Sequence, residues 1–449
     1  MARSRIIAGV VAALVTIGAA AGVALVWRPA IAAIDQPPPQ SFDPALVKRG
    51  RELAALGNCN DCHTMLRGRN LAGGLPVPTP FGAIFSTNIT PDADTGIGRW
   101  PEEAFRRAMR SGVDREGRHL YPTFPYDHFT NVTDEDDRAL YAYLMTREPV
   151  VAAARPNQLR FPFNQRFIIA GWKLLFLQRE TYHPDAARSA EWNRGAYLVE
   201  GLAHCGACHT PRNAFGAERS QASFSGGESD YWSAYAINAT SPAPVPWTAD
   251  ALDFYLRNGW HPDHGTARGP MADVVRNLAA VPGGDVRAIA VYMADMFGPP
   301  RSQRSREAVI AQAESAAAGV EDPQGAAIYA ATCGGCHESG RPPPYGGINL
   351  ALSSALSAGD PRNLINIILA GVPPLEGERS PIMPGFAGIM NDRQIAALVN
   401  YLRSRFAGQP AWSGLEKAIE ETRRTQTAYQ NTSAGPISAP ADAAQRDKP

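Results

Sequence analysis

Three short stretches carry two cysteines three positions apart with a histidine directly after the second. They are Cys59-Asn60-Asp61-Cys62-His63, Cys205-Gly206-Ala207-Cys208-His209 and Cys333-Gly334-Gly335-Cys336-His337. Thiols at this spacing add across the two vinyl groups of one porphyrin, and the adjacent imidazole reaches the iron as proximal ligand. Each stretch therefore reads as an attachment site for c-type haem. The chain has 6 Cys and 9 His in 449 residues, so one chance occurrence is expected on the order of a thousandth per chain, and three are negligible. The expectation is three covalently bound haem c groups, held by Cys59 and Cys62, Cys205 and Cys208, Cys333 and Cys336, with His63, His209 and His337 on the irons. No cysteine remains for a disulfide. Structural zinc is the rival use of Cys and His, but each motif stands alone and adjacent Cys62-His63 suits haem better.

A haem that only relays electrons has both axial positions filled, and a methionine thioether opposite histidine raises the potential. Two methionines lie twelve residues past a glycine that ends a helical pattern: Met271 after Gly259 and Met383 after Gly371. Both sit beside proline (Gly269-Pro270-Met271, Met383-Pro384-Gly385), in segments not expected to be helical, and both are assigned as sixth ligands. Core filling is the ordinary alternative for methionine, and His261 and His264 are rivals to Met271. The same count from Gly112 reaches Phe124, which cannot bind iron. For the first haem, His128 is the leading candidate ligand; His119, Met109 or an iron left five-coordinate under Phe124 are the alternatives.

The elements that must position these groups recur. A short helical pattern precedes each motif (43–56, 190–202, 323–331). Related loops, Ser86-Thr87-Asn88-Ile89-Thr90 and Ala236-Ile237-Asn238-Ala239-Thr240, follow the first two. Trp100 and Trp247 then open helices that stop at Gly112 and Gly259, as a third stops at Gly371. Closing helices begin at Thr133-Asp134-Glu135-Asp136, at Pro282-Gly283-Gly284, and at Asn391 with Gln394. No run of alternating strands is evident. The expected architecture is all-α, with three tandem cytochrome c-like domains at 42–150, 188–300 and 321–408.

The parts between them are distinct. Residues 1–28 hold an uncharged run, Ile6 to Trp27, behind Arg3 and Arg5. At 22 residues it is longer than the roughly 7–15 of a cleaved signal and long enough for a bilayer of about 30 Å. It reads as an N-terminal transmembrane helix, with a signal peptide cut at 30–33 as the alternative. Both readings put the haem motifs outside the cytoplasm. Residues 29–41 are a linker; 151–187 are apolar and aromatic, expected to pack between domains, with membrane-surface or partner docking as the sharper alternative. Residues 301–320 are a helical linker, and 409–449 a charged helix (415–425) and a polar tail expected to be disordered. With 43 basic and 43 acidic residues the net charge is zero, and no global field argues for nucleic acid.

The chain resembles the membrane-bound triheme cytochrome c subunits of periplasmic dehydrogenases. The resemblance spans about 42–408 and rests on Ser86-Thr87-Asn88-Ile89-Thr90-Pro91, Gly96-Ile97-Gly98, His204 to Arg212, Gly269-Pro270-Met271 and Met383-Pro384-Gly385-Phe386. In the alcohol-dehydrogenase branch a methionine stands where this chain has Phe124. Phe124-Pro125-Tyr126-Asp127-His128-Phe129, Phe161-Pro162-Phe163-Asn164 and Ala170-Gly171-Trp172 are more similar to cytochromes that accompany molybdenum hydroxylases of nicotinate, isoquinoline or aldehydes. The resemblance implies a non-catalytic electron-transfer subunit at the periplasmic face of the bacterial inner membrane. Its partners would be a dehydrogenase catalytic subunit and, as acceptor, quinone or a terminal oxidase. The competing expectation is a peroxidase-like haem enzyme or ligand binder using an open first iron.

Overall fold

The structure, a computed structural model, describes residues 22, 26–298, 305–316, 322–374 and 380–433. Helices dominate. In chain order they include α1 (Pro44–Leu56), α2 (Glu102–Ser111), α3 (Asp134–Met145), α4 (Ile168–Phe176), α5 (Ala190–Tyr197), α6 (Ala249–Asn258), α7 (Pro270–Ala279), α8 (Gly283–Phe297), α9 (Pro323–Thr332), α10 (Arg362–Ala370), α11 (Asp392–Leu402) and α12 (Leu415–Ser433).

One helix crossing is built three times: α1 on α3, α5 on α8, and α9 on α11. Each is closest at a glycine. A Cβ on Gly50 would stand 1.9 Å from the Ala139 carbonyl oxygen and 2.7 Å from Tyr143 Cβ. On Gly195 it would meet Ala288 O at 2.0 Å and Tyr292 Cβ at 2.7 Å, and on Gly325 it would meet Ala397 O at 2.6 Å and Tyr401 Cβ at 2.4 Å. The facing Ala and Tyr are four residues apart each time, hence on one helix face. Backbone lies against backbone, and no side chain fits. Just beyond α1, α5 and α9, the chain enters the short helical turns Cys59–His63, Gly206–His209 and Gly334–His337.

The helix ends follow local chemistry. Gly112 (φ 58°) and Gly259 (φ 73°) take the left-handed conformation that closes α2 and α6. The Thr133 side chain accepts from Asp136 N to cap α3, and Asn391 and Gln394 form the reciprocal capping box of α11. The first two crossings share one core, with Leu53, Leu56, Leu140, Leu198, Leu202 and Ile289 buried together. A second core joins α9, α10, α11 and α12 through Ile365, Ile395, Leu398 and Ile419. Each such side chain contributes roughly 1.5–3 kcal/mol on full burial.

Three expectations change. Short antiparallel ribbons are present: β1 (Pro76–Thr79), β2 (Gly82–Phe85) and β3 (Gln158–Leu159) in the order β1-β2-β3, then the pair β4 (Gly227–Ser229) and β5 (Trp232–Ala234) and the pair β6 (Trp260–His261) and β7 (Gly265–Thr266). Strands of two to four residues are too short to show a two-residue period. The apolar stretch at 151–187 is not simply packed between neighbours. Ile169, Ala170 and Lys173 of α4 are buried, whereas Phe161, Phe167, Leu174 and Leu175 are exposed. The 301–320 linker has the helical character expected of it, in the helix Arg306–Ala316. The C-terminal helix continues to Ser433 rather than 425; the rest of the tail lies outside the described residues. So does the apolar run at 6–27, apart from Gly22, Val26 and Trp27. Among the described residues, no helix is long and apolar enough to cross a membrane.

Candidate haem sites

The histidines of the three Cys-x-x-Cys-His motifs are all held the same way. His63 donates its Nδ1 proton to Thr87 O (2.6 Å), His209 to Tyr235 O (2.6 Å) and His337 to Ile348 O (2.9 Å). A carbonyl can only accept, so the proton sits on Nδ1 and the Nε2 lone pair is left for a metal. Burial lowers the pKa of each imidazole, and the carbonyl hydrogen bond offsets only part of that. The acceptors come from the loop after each motif, which in the first two carries the related sequences around Thr87 and Ile237. Burial also pushes the Cys59, Cys62 and Cys205 thiols up to about 12, so the free side chains are held as neutral thiols. Among the described residues, three or more metal-ligating side chains converge only at Asp127, His128 and Glu218. No cysteine cluster of the kind structural zinc requires is present among them.

The second and third motifs open on one continuous cavity of about 400 Å³. Its wall carries Cys205, Cys208, His209 and Met271 together with Cys333, Cys336, His337 and Met383. Two buried polar atoms in this wall lack a hydrogen-bond partner: His264 Nδ1 and Arg268 Nε. A tetrapyrrole bearing two carboxylates offers acceptors to the guanidinium. The residues present therefore fit haem.

Met383 is fixed by a two-way backbone pairing with Val372 (2.8 and 2.9 Å). Met271 departs from expectation. It lies in the first turn of α7, not in irregular chain. Pro270 opens that helix, its fixed φ suiting the first position. Gly269 before it turns with φ 58°, where a Cβ would sit 2.5 Å from the Trp232 ring. His264 reaches the same cavity, stacked on Trp247 at 3.6 Å; the His261 Nδ1 is used locally by Asp263 N.

The first site differs on its distal side. Leu120 N returns to Gly112 O (2.7 Å) as Ala267 N returns to Gly259 O (2.7 Å). Four residues beyond these matched points stand Phe124 and Met271, so the two positions correspond. Phe124 packs on Phe129, ring centroids 5.3 Å apart. The structure does not bring His128 to the first haem site. Its Nδ1 donates to Glu200 O (2.9 Å) and its Nε2 to Glu218 Oε1 (2.8 Å), both from the second motif's neighbourhood. A ring with both nitrogens so engaged has no lone pair for iron. His119 is likewise occupied, between Val26 O and Lys173 Nζ, and Met109 is buried in the shared core.

The first motif docks on α7, the helix that carries Met271. Asn277 of α7 donates from Nδ2 to Asn58 Oδ1 (2.9 Å) and to the Asp61 carboxylate (3.1 and 3.2 Å). Asn60 Nδ2 donates to Asn277 Oδ1 (3.4 Å), and His204 Nε2 donates to Gly57 O (3.2 Å). Burial raises Asp61 to about 6, with the Asn277 hydrogen bond opposing. Sequence reasoning passed over Asn277, Glu218 and Tyr235. Their partners lie 26 to more than 200 residues away, beyond any local pattern.

Comparison with known proteins points one way. The profile of the family described as cytochrome C oxidase, cbb3-type, subunit III matches residues 321–402. A nicotinate dehydrogenase subunit of Pseudomonas putida is 47% identical over 413 residues, covering 90% of this chain and 34% of that relative. The chain thus spans about a third of that protein's length. The gluconate 2-dehydrogenase cytochrome c subunit of Pantoea cypripedii is 36% identical over 400 residues, 85% of this chain and 90% of the relative. The fructose dehydrogenase cytochrome subunit of Gluconobacter japonicus is 35% identical over 415 residues, 86% and 85% respectively.

Proposed function

This chain belongs to the cytochrome c subunits of dehydrogenase complexes, and from that membership we propose that it is a three-haem relay between a dehydrogenase and a quinone or terminal oxidase. It is an electron-transfer subunit rather than a catalytic one. Three cytochrome c domains (42–150, 188–300, 321–408) each carry one haem c on the paired cysteines. His209 with Met271 would hold the second haem and His337 with Met383 the third, and His63 would hold the first, where Phe124 stands at the position corresponding to Met271. When bound, haem supplies a one-electron carrier. The chain's own residues hold it by thioethers, present Nε2 of each proximal histidine, and keep the sites in contact.

The observation that carries this reading is their continuity. Asn277 and His204 fasten the first motif to the second site, and one cavity joins the second to the third. The distance an electron must tunnel is thereby kept short at both steps. The thioethers of Met271 and Met383, in a lining that also holds Trp247 and Ile348, suit a raised potential.

We infer that the catalytic partner hydroxylates a small heterocycle or an aldehyde at a molybdenum centre. Two-thirds of the nicotinate dehydrogenase relative lies beyond the length this chain covers, and the Phe124 to Phe129 wording follows that branch. The apolar run at 6–27 anchors the chain at the periplasmic face of the inner membrane. Affinity-tagged full chain, purified from membranes, is expected to bring down an oxidoreductase whose substrate reduces the haem α-band. A cytochrome that purifies alone and stays oxidised with every heterocyclic and aldehyde substrate contradicts the proposal. Carbon monoxide is expected to bind one reduced haem of the three; three inert haems would show that the first iron has a side-chain ligand after all.

A further inference from the structure

We propose that the exposed face of α4 and the loop before it lie on the membrane surface, in contact with anionic lipid, beside the N-terminal anchor. The inference rests on the anchoring of residues 6–27 proposed above. Phe161 (80% exposed), Phe167, Leu174 and Leu175 (71% each for the two leucines) project from one side of this segment. Positions 167, 174 and 175 share a helix face by their seven- and eight-residue spacing. An apolar face this exposed marks a surface that something covers. The opposite side is fixed: Ile169 is buried, and Lys173 Nζ donates to Ser111 O (2.7 Å) and Gly112 O (2.5 Å) at the end of α2. The helix therefore cannot roll its apolar face inward.

Two independent observations select lipid as the occupant. The first is charge. Between residues 149 and 179 there are five basic residues (Arg155, Arg160, Arg166, Lys173 and Arg179) and no acidic one. Among the described residues none of the five makes an ion pair with a carboxylate. Arg160 and Arg166 donate to backbone carbonyls, of Pro80 and His119, and Arg166 lies over the Tyr121 ring. Aromatic and leucine side chains flanked by arginines without carboxylate partners match the boundary between acyl chains and phosphate headgroups.

The second is where the apolar run meets the fold. His119 donates from Nε2 to Val26 O (2.9 Å), and its Nδ1 accepts from Lys173 Nζ (3.1 Å). Ile31 N donates to Arg115 O (2.9 Å) and Arg107 to Pro29 O (2.7 Å). The end of the anchor is thus one imidazole away from α4. A bilayer holding residues 6–27 must pass close to Leu174 and Leu175.

The test uses the haem-loaded full chain in vesicles of phosphatidylethanolamine and phosphatidylglycerol. A photo-reactive p-benzoyl-phenylalanine is placed singly at Leu174, at Val15 in the apolar run, or at Ile389, exposed far from α4 in sequence and attached to the third unit. Lipid adducts at Leu174 several-fold above Ile389, rising with the phosphatidylglycerol fraction, are expected, with Val15 also labelled. Lipid adducts at Val15 with Leu174 no higher than Ile389 overturn the surface while leaving the anchor intact. A polypeptide adduct at Leu174 in membranes containing the whole complex also overturns it, since the face then covers a protein. Adducts at Leu174 without any at Val15 support the surface and remove the anchor; none at either position removes both.

Discussion

At the scale of single residues, the first site and the second meet through His128. Burial alone would lower its pKa, but the hydrogen bond and charge of Glu218 override that and raise it to about 9; Glu218 is correspondingly lowered. The histidine's contribution is complete below its ordinary value of 6.5 and is lost as pH rises through about 9. That of Glu218 is present above its ordinary 4.5 and is lost as pH falls through its lowered value. The pair therefore stabilises the contact most between those two ordinary values. His128→Ala removes the nearer partner of half-buried Glu218, which keeps Arg212 at 3.8 Å, and is expected to cost about 1–3 kcal/mol near pH 6. Chemical denaturation at pH 6 and at pH 9.5 checks this: the difference from the parent should shrink at the higher pH. The visible spectrum should show no change of axial ligand at any haem. A lost low-spin signal would instead place His128 on iron. Met383→His is expected to lower one haem potential by on the order of a few hundred mV, within the ~0.8 V that axial ligands span. Redox titration with a single unshifted set of potentials would take Met383 off the iron.

At the scale of elements, the three glycine crossings explain why the same pair of helices can frame each haem motif. Gly50→Ala and Gly195→Ala push a methyl onto a carbonyl oxygen at 1.9 and 2.0 Å, and each is expected to cost roughly 1–3 kcal/mol through overpacking. Gly284→Ala, in α8 with nothing within 4 Å of the new methyl, should be neutral or stabilise by about 0.4–1 kcal/mol. Thermal unfolding of the three variants, read by far-ultraviolet circular dichroism, checks the ordering. Much at this scale was legible in the chain. The haem motifs, the glycines ending α2 and α6, the capping residues at Thr133 and Asn391 and the helical patterns are all local, and local patterns report local structure. The helical start at Met271 was hidden because Gly-Pro before a residue serves equally as a loop or as a helix opening. The two- to four-residue ribbons carry too few positions for a period, and the exposed side of α4 reads in sequence like any other apolar run.

At the scale of the whole molecule, what matters is how the sites meet, and that was the least legible part. Asn277 touches Asn58 and Asp61 across more than 200 residues of chain, and His128 finds Glu218 across 90; no spacing rule reaches so far. Asn277→Ala is expected to leave each haem's spectrum unchanged while slowing electron exchange between the first and second haems. Stopped-flow reduction would show this as a new slow phase in one-third of the absorbance change; unchanged single-phase kinetics would mean that the Asn277 contact does not set the distance. The relay as a whole depends on every motif carrying its haem. The most direct measurement is covalent haem per polypeptide, by pyridine haemochrome against protein mass on the chain as purified from its native membrane. Three haems per chain are expected. Two, with one pair of cysteines free to alkylating reagent, would break the relay at that motif, and none would contradict the assignment of all three.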